Sequence, residues 1–195
     1  MSMCLGLITL SDATIQRVAE DARLVWRMVN PVSTEAEAGE PEAARGKKTK
    51  KPKRATNEPT LELGPGEGVR TNIDRAWHGI HYLLTGTAWD GDAPLDFLVN
   101  GGRMVGAVDE SHGPMRAFTA AETKAILDTF STFSTYEMRK RYNPRDMAAK
   151  EIYPDIWSHE EESLSFLIDN VERLRGFLRQ AVEAQTGMLI FLQPQ

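Results

Sequence analysis

The stretch from Pro31 to Val69 most constrains how this chain can fold, because it holds almost no large apolar side chain apart from Leu61 and Leu63. It is rich instead in Pro, Gly, Ala, Glu and Lys, a composition that buries too little apolar surface to fold by itself. We therefore predict three parts: an N-terminal strand and helix of the domain at 1–31, a flexible charged insertion at 32–69, and the main body of the same domain at 70–195.

The insertion also polarises the charge of the chain, whose total is −5 at neutral pH. Residues 35–58 carry seven Lys and Arg against five Glu, a net charge of +2, so the rest of the chain carries −7. Such a charge favours a basic protein partner. The basic run 47–54 contains no aromatic side chain on which bases could stack, so we do not expect nucleic-acid binding.

A single cysteine, Cys4, excludes an intrachain disulfide and a cysteine-rich zinc site, and indicates a reducing compartment. The apolar run at the N-terminus ends at Ser11 and Asp12 and follows no basic region, so it predicts neither a signal peptide nor a membrane span. We expect a cytoplasmic protein without a membrane partner. The sequence leaves its oligomeric state open.

Hydrophobic periodicity predicts an α+β domain in which helices cover a small mixed sheet. The predicted strands lie near 3–10, 103–108, 115–118 and 188–192. The two terminal strands are expected to pair. Helix start signals of the N-cap and capping-box type occur at Ser11, Thr71, Thr119, Asn143 and Ser158.

The predicted helix after Thr71 carries two of the four histidines of the chain. Its apolar stripe contains Ile73, Trp77, Ile80 and Leu84. A neighbouring polar stripe would contain Asp74, His78, His81 and Thr85. In this arrangement Asp74 lies within reach of His78, where a carboxylate would fix the imidazole tautomer and raise its pKa.

Three roles remain open for these histidines: packing, ligand binding or catalysis, and half of a metal site completed by His112, His159 or a carboxylate. The motif H-E-x-x-H is absent, so we reject a protease-type zinc site. We predict neither a metal nor a cofactor.

A second cluster, residues 151–158, places two aromatic side chains and a carboxylate just before the longest helix. Pro154 favours an extended conformation at Tyr153. Tyr153 and Trp157 would contact a ligand while Asp155 accepts a hydrogen bond. Alternatively, Ile156 or Trp157 packs as the hydrophobic staple of the helix cap at Ser158. The candidate ligand-binding residues are therefore Asp74, Trp77, His78, His81, Tyr153, Asp155 and Trp157.

Four short segments of the sequence resemble the YfbM-like family of bacterial domains of unknown function: 73–86, 113–119, 142–147 and 152–157. The most specific are W-H-G-I-H at 77–81 and I-Y-P-x-I-W at 152–157. The resemblance implies a compact, intracellular α/β domain with no agreed reaction. Ser111 and His112 depart from the family, in which a Gly-aromatic pair is more common, and this argues against a general role for His112.

Two functional hypotheses follow. The first is a partner-binding module, of inhibitor or immunity type, that uses an acidic surface. The second is a small-molecule hydrolase or transferase in which His78 acts as base and Asp74 orients it.

Overall fold

The computed structural model describes residues 2–21, 23–25, 61–109 and 113–194. Most of the predicted insertion, and also His112, lie outside the described residues, so the three-part division of the chain stays a prediction. No helix in the described part of the chain is long and apolar enough to cross a membrane.

The described strands form one open five-stranded sheet, in the order β2-β1-β5-β4-β3. Their bounds are Met3–Leu10 for β1, Arg70–Asn72 for β2, Arg103–Asp109 for β3, Gly113–Phe118 for β4 and Gly187–Pro194 for β5. The predicted pairing of the terminal strands is confirmed, since β1 and β5 run antiparallel over their full lengths.

The sheet is antiparallel in every described strand pair, whereas the sequence predicted a mixed sheet. One reason is local: β3 and β4 are joined by three residues, too few for the crossover that a parallel pair needs. Strand β2 was not predicted because three residues show little periodicity. Thr71 pairs with Leu7 inside this strand, so the helix start predicted at Thr71 is wrong.

Six α-helices are described in full: α1 Asp12–Glu20, α2 Trp77–Thr85, α3 Ala120–Phe130, α4 Thr135–Arg141, α5 Pro144–Ala149 and α6 Glu160–Glu183. A 3-10 turn, Asp74–Ala76, precedes α2. The caps predicted at Ser11, Thr119 and Asn143 are confirmed. At α6 the N-cap is His159 rather than Ser158. Gly86 ends α2 in the left-handed conformation, with φ 78°.

The two faces of the sheet bury separate apolar clusters. On one face Leu5 and Ile190 pack with residues of α2, α3 and α6. On the other, Ile8 and Leu189 pack with α1 and with residues 24–25. The single α+β domain predicted from the sequence is confirmed.

Helix α2 lies deep in the larger cluster because Gly79 lets it approach Trp157 and Leu167. A Cβ atom at position 79 would lie 2.6 Å from Trp157 Cη2 and 2.7 Å from Leu167 Cδ2. The Trp157 ring is itself buried, with 1% of the residue exposed. Position 79 therefore needs glycine for packing rather than for backbone conformation.

Replacing Gly79 with alanine should lower the free energy of unfolding by roughly 1–3 kcal/mol, because an added methyl overpacks this contact. Gly176→Ala in α6 is the matched control: a Cβ there meets no atom within 4 Å, and the change should stabilise by about 0.5–1 kcal/mol. Urea titrations of both variants measure the difference. Equal effects of the two substitutions would contradict the close approach at Gly79.

Candidate functional site

Helix α2 is buried on all sides. Residues 77–84 are all buried, and both His78 and His81 are 0% exposed. The predicted polar stripe bordering the core is therefore wrong. The histidine side of the helix is covered by the segment 87–92, the Trp89 loop, which follows α2 directly.

His78 is bonded through both ring nitrogens. Its Nε2 lies 2.7 Å from the carbonyl oxygen of Ala88, and its Nδ1 lies 3.0 Å from the backbone nitrogen of Tyr153. A carbonyl accepts and an N–H donates, so these partners assign a neutral ring that carries its proton on Nε2. Burial lowers the pKa of His78, in keeping with the neutral form.

Two buried histidines and the half-buried Asn100 hold three successive carbonyls of the Trp89 loop. His78 donates to Ala88 O, Asn100 Nδ2 donates to Trp89 O at 2.7 Å, and His81 Nε2 donates to Asp90 O at 3.2 Å. The Thr87 hydroxyl also donates to the Asp90 carbonyl, a hydrogen bond within the loop itself. The loop thus has a fixed path across α2.

The loop presents Trp89 to solvent, with 57% of the residue exposed. One side of its indole rests on His78, with ring centroids 4.3 Å apart. Asp90 and Asp92, in the same loop, are also exposed. The sequence prediction missed Trp89; the signal available was a lone Trp among Asp and Gly residues between Gly86 and Pro94.

Asp74 lies apart from the histidines. Its carboxylate accepts hydrogen bonds from Cys4 Sγ at 3.2 Å and from the Arg75 backbone at 2.7 Å. The predicted bond between Asp74 and His78 does not form among the described residues, because the chain at Asp74 has φ 51° and enters a 3-10 turn instead of an α-helix. Burial, together with the bond to Asp74, raises the pKa of the Cys4 thiol to about 11.

Trp77 and Tyr153 tie the site to the start of β1. Trp77 Nε1 donates to the Met3 carbonyl at 3.1 Å, and the Met3 N–H donates to the Tyr153 hydroxyl at 2.8 Å. The two rings lie 5.9 Å apart. The structure therefore brings together four of the predicted site residues: Trp77, His78, His81 and Tyr153.

Trp157 and Asp155 occupy different surroundings. Trp157 is buried under α2, and its Nε1 donates to the Ile152 carbonyl at 2.6 Å, which gives it a core position. Asp155 is exposed on the segment before α6. Neither takes part in the contacts between the histidines and the Trp89 loop.

A buried cation, Arg116 on β4, holds the turn that follows the Trp89 loop. Its guanidinium donates to the carbonyls of Phe97 and Leu98, each at 2.8 Å, and to that of Asn100. Burial lowers the pKa of Arg116 to about 10, and the charge of Asp96 opposes this shift. Arg116 stays charged at neutral pH, with its donors directed to carbonyls of the fold.

Within the described ranges, no group of three or more His, Cys, Asp or Glu side chains could hold a metal ion. One partner predicted to complete a site, His112, lies outside those ranges. His159 is the N-cap of α6, whereas both nitrogens of His78 and Nε2 of His81 bond the Trp89 loop or Tyr153. The Nδ1 atom of His81 is buried without a hydrogen-bond partner among the described residues.

Comparisons with known proteins agree with the fold described above. The profile of a family of domains of unknown function, DUF1877, matches residues 1–191. Among solved structures, the chain is similar to the protein of unknown function YfbM from Escherichia coli, with a TM-score of 0.65 and 16% identity, covering 97% of this chain and 99% of that one. At this identity the likeness shows the fold alone. The comparison with curated proteins gave no significant match. The YfbM-like resemblance predicted from the sequence is confirmed.

The burial of His81 predicts a dependence of stability on pH. Burial, reinforced by repulsion from His78, lowers the pKa of His81 from 6.5 to about 4. Between these values the unfolded chain binds a proton that the folded chain does not, so stability falls as pH drops from 6.5 towards 4. From pH 7.5 to pH 5 the loss from this residue should be about 2 kcal/mol.

Urea titrations at the two pH values measure this loss. The variant His81→Gln keeps a side-chain N–H for the Asp90 carbonyl but cannot titrate, so it should lose about 2 kcal/mol less than the wild type over the same pH range. An identical pH dependence in the two proteins would show that His81 titrates normally in the folded state.

Proposed function

We propose that this chain, which belongs to the DUF1877 family of domains of unknown function, is a partner-binding module that takes a basic protein segment on an exposed surface. That surface, the Trp89 surface, consists of Trp89, Asp90 and Asp92. One observation carries the proposal: a largely exposed tryptophan sits on a loop whose carbonyls are held by two buried histidines and by the half-buried Asn100.

The exposure of Trp89 favours recognition over packing. The other two described tryptophans, Trp77 and Trp157, are 7% and 1% exposed and donate their indole N–H groups inside the fold. Exposed tryptophans are enriched among the residues that dominate binding energy in protein interfaces. Because the loop is fixed before binding, little conformational entropy would be lost when a partner docks.

The charge of the surface favours a basic partner. Asp90 and Asp92, both exposed, follow Trp89 in the loop, and the chain outside 35–58 carries a net charge of −7. A Lys or Arg of the partner could pair with these carboxylates, and it would also be attracted to the face of the indole. Long-range attraction of this kind raises the association rate and weakens with salt.

The hydrolase or transferase hypothesis finds less support in the geometry. A general base needs a free nitrogen, whereas both nitrogens of His78 bond backbone groups. The predicted orienting residue, Asp74, bonds Cys4 and Arg75 instead. The histidines act as supports for the loop, which favours binding as the function.

An inhibitor or immunity-type role would be one form of this binding. The bacterial, cytoplasmic setting also remains a prediction, which rests on the lone cysteine and on the family resemblance.

The test is a pull-down of proteins from the source cell with immobilised wild type, Trp89→Ala and Tyr136→Ala. Tyr136, on α4, is 66% exposed and serves as the matched control for loss of an exposed aromatic ring. The wild type and Tyr136→Ala should retain the same basic protein at about 0.05 M salt and release it at about 0.5 M. Trp89→Ala should weaken the binding by roughly tenfold or more.

Two results would count against this function. One is that the wild type retains no protein at either salt concentration. The other is that Trp89→Ala retains the same protein as the wild type with equal affinity, which would place the interface elsewhere.

A further inference from the structure

A cavity of about 120 Å³ lies directly beside the Trp89 surface. Its floor is the core-facing side of the sheet, where Leu5, Ile190 and Leu192 contribute aliphatic side chains, and its walls are Trp77, Trp89 and Val99. The indole of Trp89 therefore has two environments: it is part of the exposed surface and it closes one side of this cavity.

We propose that this cavity is a socket for one aliphatic side chain, of about the size of leucine, from the basic segment that binds the Trp89 surface. The inference rests on the proposed function. It adds that the partner segment carries an aliphatic side chain next to its Lys or Arg residues.

The size and the lining of the cavity favour an aliphatic occupant. A cavity of ~150 Å³ lined by aliphatic and aromatic side chains is known to accept a molecule as large as benzene, so 120 Å³ suits an aliphatic side chain. Arg116 also lines the cavity, but its donors are directed to the backbone carbonyls of the 97–101 turn. Its positive charge would repel a Lys or Arg head group at this position.

The surroundings indicate what the rest of the partner segment must carry. Asp90 and Asp92 are both exposed and belong to the loop whose Trp89 closes the cavity. A segment that places an aliphatic side chain in the cavity would therefore present its neighbouring residues to these carboxylates. The complementary ligand is a short cationic peptide with a single leucine among its lysines.

Two larger cavities do not share this arrangement. One, of about 210 Å³, lies between the 93–102 turn and α3, and another, of about 300 Å³, lies at the β2 edge of the sheet. Neither is bordered by Trp89. They are consequently not linked to the proposed binding surface.

The experiment titrates the full-length chain with two capped peptides, Lys-Lys-Leu-Lys-Lys and the same peptide with Ala in place of Leu. Binding is followed by the NMR shifts of the Trp89 indole N–H and the Val99 methyl groups. The leucine peptide should bind roughly 50-fold more tightly, because it buries about three more carbon atoms. It should also shift the Val99 methyl signals, which the alanine peptide should leave unchanged.

Cavity-filling variants provide the control. Leu192→Phe in the floor and Val99→Met in the wall each add volume at a half-buried lining residue, and urea titration checks that each variant folds. In a folded variant the leucine peptide should bind no more tightly than the alanine peptide. The affinity for the alanine peptide should stay at the wild-type value, since the carboxylates are untouched.

The outcomes separate the socket from the proposed function. Equal affinities of the two peptides for the wild type, with shifts of Trp89 alone, would overturn the socket and leave the basic-partner surface standing. An undiminished preference for the leucine peptide in both filled variants would also overturn it. Failure of both peptides to bind the wild type, or equal binding to Trp89→Ala, would count against the Trp89 surface itself.

Discussion

Side-chain hydrogen bonds to three successive backbone carbonyls fix the path of the Trp89 loop, and the rest of the site depends on them. His78, Asn100 and His81 supply the donors. A neutral imidazole suits this role because it can be buried without a charge and still donate one hydrogen bond. His78 also accepts the Tyr153 N–H, so a single ring joins the loop after α2 to the segment before α6.

The strong local signals of the sequence were sufficient to predict the general fold. The apolar runs at both termini predicted two strands that pair in the structure. The helix caps predicted at Ser11, Thr119 and Asn143 are also present. The errors arose where long-range contacts decide the structure. Strand β2 exists because Thr71 pairs with Leu7, and α2 is buried all round because a later loop covers it. Neither contact is visible in a window of a dozen residues.

The candidate site was only partly predictable for the same reason. Helical spacing correctly placed His78 and His81 on one helix and Trp77 in the core. It could not show that the partners of the histidines are carbonyls 9 and 10 residues away, or that Asp74 turns towards Cys4. Trp89 lies outside any periodic segment, so no pattern singled it out. A pair of histidines that looks catalytic in the sequence is a structural support for an exposed aromatic residue.

The central claim is that His78 is a neutral imidazole whose two nitrogens both hydrogen-bond the backbone, rather than a titrating base. 15N NMR of the imidazole ring tests this claim most directly. At pH 7 the ring should carry its proton on Nε2, and a scalar coupling across the hydrogen bond should connect Nδ1 with the amide of Tyr153. A proton on Nδ1 at that pH, or a ring that titrates near pH 6.5 as in an unfolded chain, would contradict the account.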